Sequence, residues 1–339
     1  MQPDAGDNII RTVKPLNYLR TAWALLGPGR PMILYHQVTA RCDCRCRFCS
    51  SWMHQPAEDD APSSERTLAL LDRVAAAGFT TYTVWGGEPM MVAALPEWLR
   101  HAQSLGLETV VCTSGSRFPE RAPEFAGRIG RLLLSLEAVG EAQDRLRNTP
   151  GLFERVKAGL EAWRKHRGGP VALWSNLSRE NIDQVEPIAR FAADQGIDVE
   201  FFPASPGLSP SDKLVLDAAE RRVAFDRAAQ LKRSGLPIRN TYHVLELMAS
   251  GRAFRCHLPR LAVQVLPDGS VNACDPRIIP GLVPYGHESE IDFAAFHRSP
   301  TYLARRSELS ACNRCLLPCV GNLSDNLALQ AARQFIPGI

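Results

Sequence analysis

A chain of 339 residues with 45% apolar content can bury one large core with a smaller appendage, since domains usually hold ~100–250 residues. Its formal charge of +3 is not gathered into any run of like sign, which argues against a nucleic-acid partner. No apolar stretch reaches the ~20 residues of a bilayer span, and Met1–Asp7 is acidic where a secretion signal is basic, so no transmembrane segment and a cytoplasmic location are expected.

In that compartment the ten cysteines are not expected to pair as disulfides, and their clustering at 42–49 and 312–319 points to metal or cluster ligation. In chain order, residues 16–26 can form an amphipathic helix, packed against the core or touching a membrane or lipid-like substrate. Short apolar or β-branched runs then predict strands at Met32–Val38, Phe79–Trp85, Leu107–Thr113, Leu132–Glu137, Val171–Asn176 and Val199–Pro203. Helical periodicity lies between them: Ser64–Ala77 with Gly78 as stop, Pro96–Leu105 before Gly106, and Leu152–His166 before Gly168. Asn181 reads as the cap of a helix running to Gln195. Strand–helix units this tightly connected imply an α/β fold with parallel strands, as an open sheet or a full or partial barrel.

Past residue 204 the rhythm changes. A helix is predicted over about 212–234, and residues 261–274 read as a hairpin turned by Pro267-Asp268-Gly269. The division this suggests is an N-terminal extension (1–31), a core (32–239) and a small α+β C-terminal domain (240–339).

Cys42, Cys46 and Cys49 directly follow the first strand, with Phe48 before the last of them. Three thiolates so spaced can hold one face of a cubane and leave one iron open to a molecule bearing an amine and a carboxylate. A zinc site is the alternative, but zinc closes with four ligands and no fourth follows at finger spacing. Cys44 is read as a neighbour of the cluster. This C-x3-C-x2-C pattern resembles the radical S-adenosylmethionine (SAM) superfamily. The resemblance implies a partial (β/α)6 barrel and a [4Fe–4S] cluster whose open iron binds SAM and cleaves it to a 5′-deoxyadenosyl radical that abstracts hydrogen. It also implies an electron donor such as flavodoxin or ferredoxin, with the catalytic role resting on the three cysteines.

Gly86-Gly87-Glu88-Pro89, one strand later, is similar to the family segment that binds the SAM amino group. By the same resemblance Ser135 and Glu137 lie where relatives contact methionine or ribose. Arg147 lies where an arginine nears the SAM carboxylate, and Asn176 ends the fifth strand among these contacts. Thr113 and Ser114 end the third strand similarly, while Cys112 reads as core. Cys256, Cys274, Cys312 and Cys315, with Cys319 surplus or an alternative, resemble the twitch or SPASM extensions that carry an auxiliary [4Fe–4S] cluster; the spacing is similar to that of 2-deoxy-scyllo-inosamine dehydrogenase. Structural zinc is again the alternative.

A fully ligated auxiliary cluster inclines the expectation towards net oxidation of a small biosynthetic substrate. Peptide maturation, a lipid or hopanoid radical step, and a non-catalytic cluster or zinc scaffold stand as alternatives. Tyr242, His243 and Glu246 could project towards substrate but read more simply as core or surface.

Overall fold

The computed structural model describes residues 30–317, so the helix expected over 16–26 and Cys319 lie outside the described residues. Six parallel strands form the core: β1 (Ile33–Gln37), β2 (Thr81–Trp85), β3 (Glu108–Thr113), β4 (Arg131–Ser135), β5 (Val171–Leu177) and β6 (Asp198–Pro203). They pair in sequence order from β1 at one end of the row to β6 at the other, as expected of a strand–helix repeat whose crossovers return the chain beside the strand just left. The result is an open, curved parallel sheet of partial-barrel type.

Helices α1 (Ser64–Ala76), α2 (Leu95–Ser104), α3 (Phe118–Phe125), α4 (Glu141–Arg147), α5 (Leu152–Lys165), α6 (Val185–Gln195) and α7 (Ala218–Arg233) provide the crossovers and outer layer. In α1 the Ser63 hydroxyl accepts from the Arg66 amide, and Leu70, Leu71 and Val74 present one buried stripe to the sheet. Each such side chain contributes about 1.5–3 kcal/mol on burial. Helix α7 starts with a reciprocal capping box between Asp217 and Glu220.

Asn181 does not cap. A 3-10 turn over Ile182–Gln184 precedes α6, and Asn181 makes no side-chain cap bond. Its carbonyl oxygen accepts from the Ser178 amide and hydroxyl, and its amide donates to the backbone carbonyls of Glu137 and Asn176. The buried side chain thus ties the C-terminal ends of β4 and β5 together, a tertiary use that outweighs local capping.

Helix α8 (Tyr242–Ser250) and the short α9 (Leu258–Leu261) lead to the expected hairpin, β7 (Ala262–Val265) and β8 (Ser270–Asn272), followed by β9 (Gly286–His287) and α10 (Pro300–Ser310). Strand β7 pairs parallel to β1, so the C-terminal segment extends the core sheet to the order β6-β5-β4-β3-β2-β1-β7-β8-β9. No helix among the described residues is long and apolar enough to cross a membrane.

Strand alternation sorts the side chains. In β1, Leu34 and His36 face the helices, while Tyr35 faces the concave interior. The same alternation sends Trp85, Cys112, Trp174, Phe202 and Gln264 inward, around a cavity of about 210 Å³. Cys112, read as a core residue, is one of these lining groups.

Candidate functional site

The loop 38–50 has little regular structure of its own, and its backbone is satisfied by neighbours. The Val38 amide continues the β1–β2 ladder to Trp85 at 3.0 Å. Next, the Gly87 and Glu88 amides donate to the Thr39 and Arg41 carbonyls, both at 2.8 Å. Further on, the Arg45 and Arg47 amides donate to the Arg147 and Leu146 carbonyls at 3.2 and 2.9 Å, so the loop caps carbonyls at the end of α4 that have no partner within the helix. Asp60 accepts from the Thr39 hydroxyl and the Ala40 amide, Gln55 from the Cys42 amide, and the Trp52 indole donates to the Cys46 carbonyl.

Cys46 and Cys44 are buried, Cys42 and Cys49 half-buried. Hydrogen bonds from Cys42 and Cys46 hold the Cys44 thiol below the usual range, and the same contacts raise Cys42 and Cys46. Among the described residues, Cys42, Asp43 and Cys44 form the one triplet of ligand-type atoms within 4.8 Å of one another. Both Asp43 oxygens are already engaged, by the Ser116 hydroxyl at 2.8 Å and the Arg117 guanidinium at 2.7 Å.

Gly86 and Gly87 are required by close approach. A Cβ on Gly86 would lie 2.4 Å from the Thr39 carbonyl oxygen, and one on Gly87 1.9 Å from that of Arg41. Gly87→Ala therefore has to displace the cysteine loop. It is expected to reduce iron uptake on reconstitution with unchanged far-ultraviolet circular dichroism, and a misplacement of about 1 Å can cost on the order of 10²-fold in rate. Wild-type iron loading would remove this argument.

Glu88 is fully buried. Its carboxylate accepts from the Thr113 hydroxyl, the Ser114 amide and hydroxyl, and the Met90 amide, at 2.5–2.9 Å. Burial pushes its carboxyl up, against these hydrogen bonds. It staples the glycine turn to the end of β3, and Thr113 and Ser114 serve it. Pro89 is buried at the start of the next 3-10 turn.

At the end of β4, Glu137 forms a buried bidentate pair with Arg147, at 2.5 and 2.7 Å, and the guanidinium lies 5.5 Å from the centre of the Phe48 ring. Gln143, which the sequence did not single out, accepts from the Glu137 and Ala138 amides and donates to the Ser135 carbonyl. Its position one helical turn before Arg147 is the available signal, because i and i+4 share a face. Asn176, the last residue but one of β5, has its side-chain oxygen buried and, among the described residues, without a partner.

Cys256, Cys274, Cys312 and Cys315 line one small apolar pocket with Phe254 and Ile278. Burial pushes the Cys256 thiol up to about 12 and that of Cys315 up to about 11. Cys274 and Cys315 also border the interior cavity, which separates this pocket from the strand ends. Arg277 connects the regions: it donates to Ser51, two residues after Cys49, and pairs with Asp275 at 2.6 Å. Tyr242, His243 and Glu246 sit at the surface; Tyr242 lies under Lys232 and Glu246 pairs with Arg222.

Residues 37–192 match the family described as the Radical SAM superfamily. Over 169 residues the chain is 27% identical to the AdoMet-dependent heme synthase of Methanosarcina barkeri, covering 49% of this chain and 48% of the relative. The chain thus spans about half the length of the curated relatives it matches. Its fold is similar to Streptococcus suis SuiB bound to precursor peptide SuiA, with TM-score 0.68 and 16% identity over 90% of this chain and 74% of that one. It is also similar to native anSMEcpe with bound AdoMet, with TM-score 0.64 and 14% identity over 83% of each chain. Loop, glycine turn and sheet order together with these matches establish that the chain carries a radical SAM domain over residues 37–192 and has homologues in radical SAM families.

Proposed function

We propose that the chain is a radical SAM oxidoreductase acting in the cytoplasm on a small molecule seated in the interior cavity. The observation that carries this is the cavity's position between the radical SAM strand ends and the second set of thiols, two of which, Cys274 and Cys315, line it. A radical SAM domain implies SAM and a [4Fe–4S] cluster, and the residues present fit both. Cys42, Cys46 and Cys49 offer three soft thiolates from the one loop that follows β1, a donor set that suits a cubane with one iron left open. The buried, unpartnered Asn176 oxygen offers an acceptor at a strand end, as a bound hydroxyl requires.

In this reading Cys42, Cys46 and Cys49 would hold the cluster, which would supply the electron for reductive cleavage of SAM. The chain's own residues position and shield. Gly86 and Gly87 let the turn 86–89 lie against the loop, and Glu88 locks that turn to β3. Glu137 and Arg147 fix the far side of the loop through α4, with Ser135 at the end of the same strand. The apolar cavity excludes water from the reacting carbon.

Residues 240–339 would hold an auxiliary [4Fe–4S] cluster through Cys256, Cys274, Cys312 and Cys315. All four thiols line one pocket, the donor set of a fully ligated cubane. Full ligation suits it to electron transfer, with a flavodoxin- or ferredoxin-type protein as external partner. Anaerobic reconstitution followed by dithionite and SAM is expected to yield 5′-deoxyadenosine. Full cluster loading without that product would overturn the reading.

A further inference from the structure

The interior cavity is apolar yet contains buried donors that no described residue accepts from. Among the described residues, the indole N–H groups of Trp85 and Trp174 and the amide nitrogen of Gln264 each lack a hydrogen-bond partner. All three residues line the same space, and Gln264 is only 6% exposed. They come from β2, β5 and β7, so no local sequence requirement placed them together. Buried donors are normally paired, and a cluster of three unpaired ones in one chamber implies an acceptor supplied from outside the chain.

The remaining lining fixes the rest of that molecule. Phe202, Val263 and Ile278 are apolar, and among the described residues no lysine or arginine lines the space. Its one lining carboxylate, Asp275, is held by the Arg277 guanidinium at 2.6 and 3.0 Å. The Arg277 guanidinium lies 5.8 Å from the centre of the Trp85 ring but is already paired with Asp275, so among the described residues no free cation compensates a buried anion on the substrate, and an uncompensated charge is the costliest group to place there. The volume of about 210 Å³ exceeds the ~150 Å³ of an apolar cavity known to admit benzene. A single substituted ring fits.

We infer that the part of the substrate that enters the radical site is a neutral, ring-sized, largely apolar group bearing a carbonyl or similar acceptor, received by Trp85, Trp174 and Gln264. This names the substrate class of the site proposed above and rests on that proposal. Nucleotides and polycarboxylates are excluded from the chamber on the same grounds.

The test is equilibrium dialysis of the reconstituted, SAM-saturated enzyme against three probes of similar shape: acetophenone, ethylbenzene and benzoate. Acetophenone is expected to bind best and benzoate worst. In the double variant Trp174→Phe/Gln264→Leu, acetophenone is expected to bind roughly thirtyfold more weakly, as for the loss of two ordinary hydrogen bonds, with ethylbenzene unchanged or tighter. Benzoate binding as well as acetophenone, no probe binding at millimolar concentration, or a double variant that keeps the wild-type preference would each overturn the inference. If the double variant does not fold, the order of the three probes on the wild-type protein decides alone. Dialysis does not depend on turnover, so failure here leaves deoxyadenosine formation standing, and failure of that assay leaves the binding order readable.

Discussion

Replacing Arg147 with alanine is expected to lower the unfolding free energy by about 3–5 kcal/mol, among the largest single-site losses in the protein. The side chains of the pair are 9% exposed at Arg147 and 1% at Glu137. Truncating the arginine leaves a carboxylate that water does not reach, with the Gln143 amide at 3.5 Å as its remaining side-chain donor. The energy lost is mainly that of an uncompensated buried charge, which exceeds what forming the pair gains. A double replacement, Arg147→Met with Glu137→Leu, is therefore expected to recover most of the loss. The exposed pair Arg190–Glu186 is the control: at 64% and 30% side-chain exposure, Arg190→Ala is expected to change stability by less than about 1 kcal/mol. Urea denaturation of the four proteins measures all of this. A fall below about 1 kcal/mol in Arg147→Ala would mean that the guanidinium is not what keeps Glu137 buried. Because α4 supplies two carbonyls to the cysteine loop, the variant is also expected to take up less iron.

The parts of this molecule that could be read without coordinates are those in which a local pattern and its physical cause coincide. Six strands showed as short β-branched runs between glycine stops, because a doubly covered parallel strand needs little else. Helix α3 was missed: Pro123 lies inside it and it begins without a side-chain cap. Helix α4 was read as a segment near SAM and not as a helix, since seven residues give too few turns for periodicity to show. Asn181 misled for a related reason. Its position before a helix suggests a cap, while its actual partners, the Glu137 and Asn176 carbonyls, are contributed by two strand ends.

At the site, the glycine turn was legible because close backbone approach admits few residue types. The function of Glu88 as a four-donor staple was not, since its partners arrive from β3. The cavity donors were hidden for a stronger reason. Trp85 and Trp174 in apolar strands look like core, and Gln264 joins them only because β7 pairs with β1, more than two hundred residues away in sequence.

The second large effect concerns which thiols hold iron. Simultaneous replacement of Cys42, Cys46 and Cys49 by alanine is expected to abolish deoxyadenosine formation and leave roughly half the iron, since two cubanes of equal iron content are proposed and one is untouched. Cys256→Ala with Cys274→Ala is expected to remove a similar share of iron while deoxyadenosine formation persists. The informative comparison is Cys44→Ala. Cys44 is fully buried, packed with Leu146 and Leu152 beneath the loop, within hydrogen-bonding reach of both Cys42 and Cys46. Four thiols on one loop invite the view that Cys44 is a fourth ligand. An open coordination position is needed for SAM, however, and a fourth thiolate would close it. Cys44→Ala is thus expected to keep its iron and its deoxyadenosine formation, losing only the packing of one small buried side chain. Were Cys44→Ala to lose as much iron as the triple variant, the loop would hold its metal through four sulfurs, SAM would have no iron to bind, and the radical chemistry proposed for this chain would have no starting point.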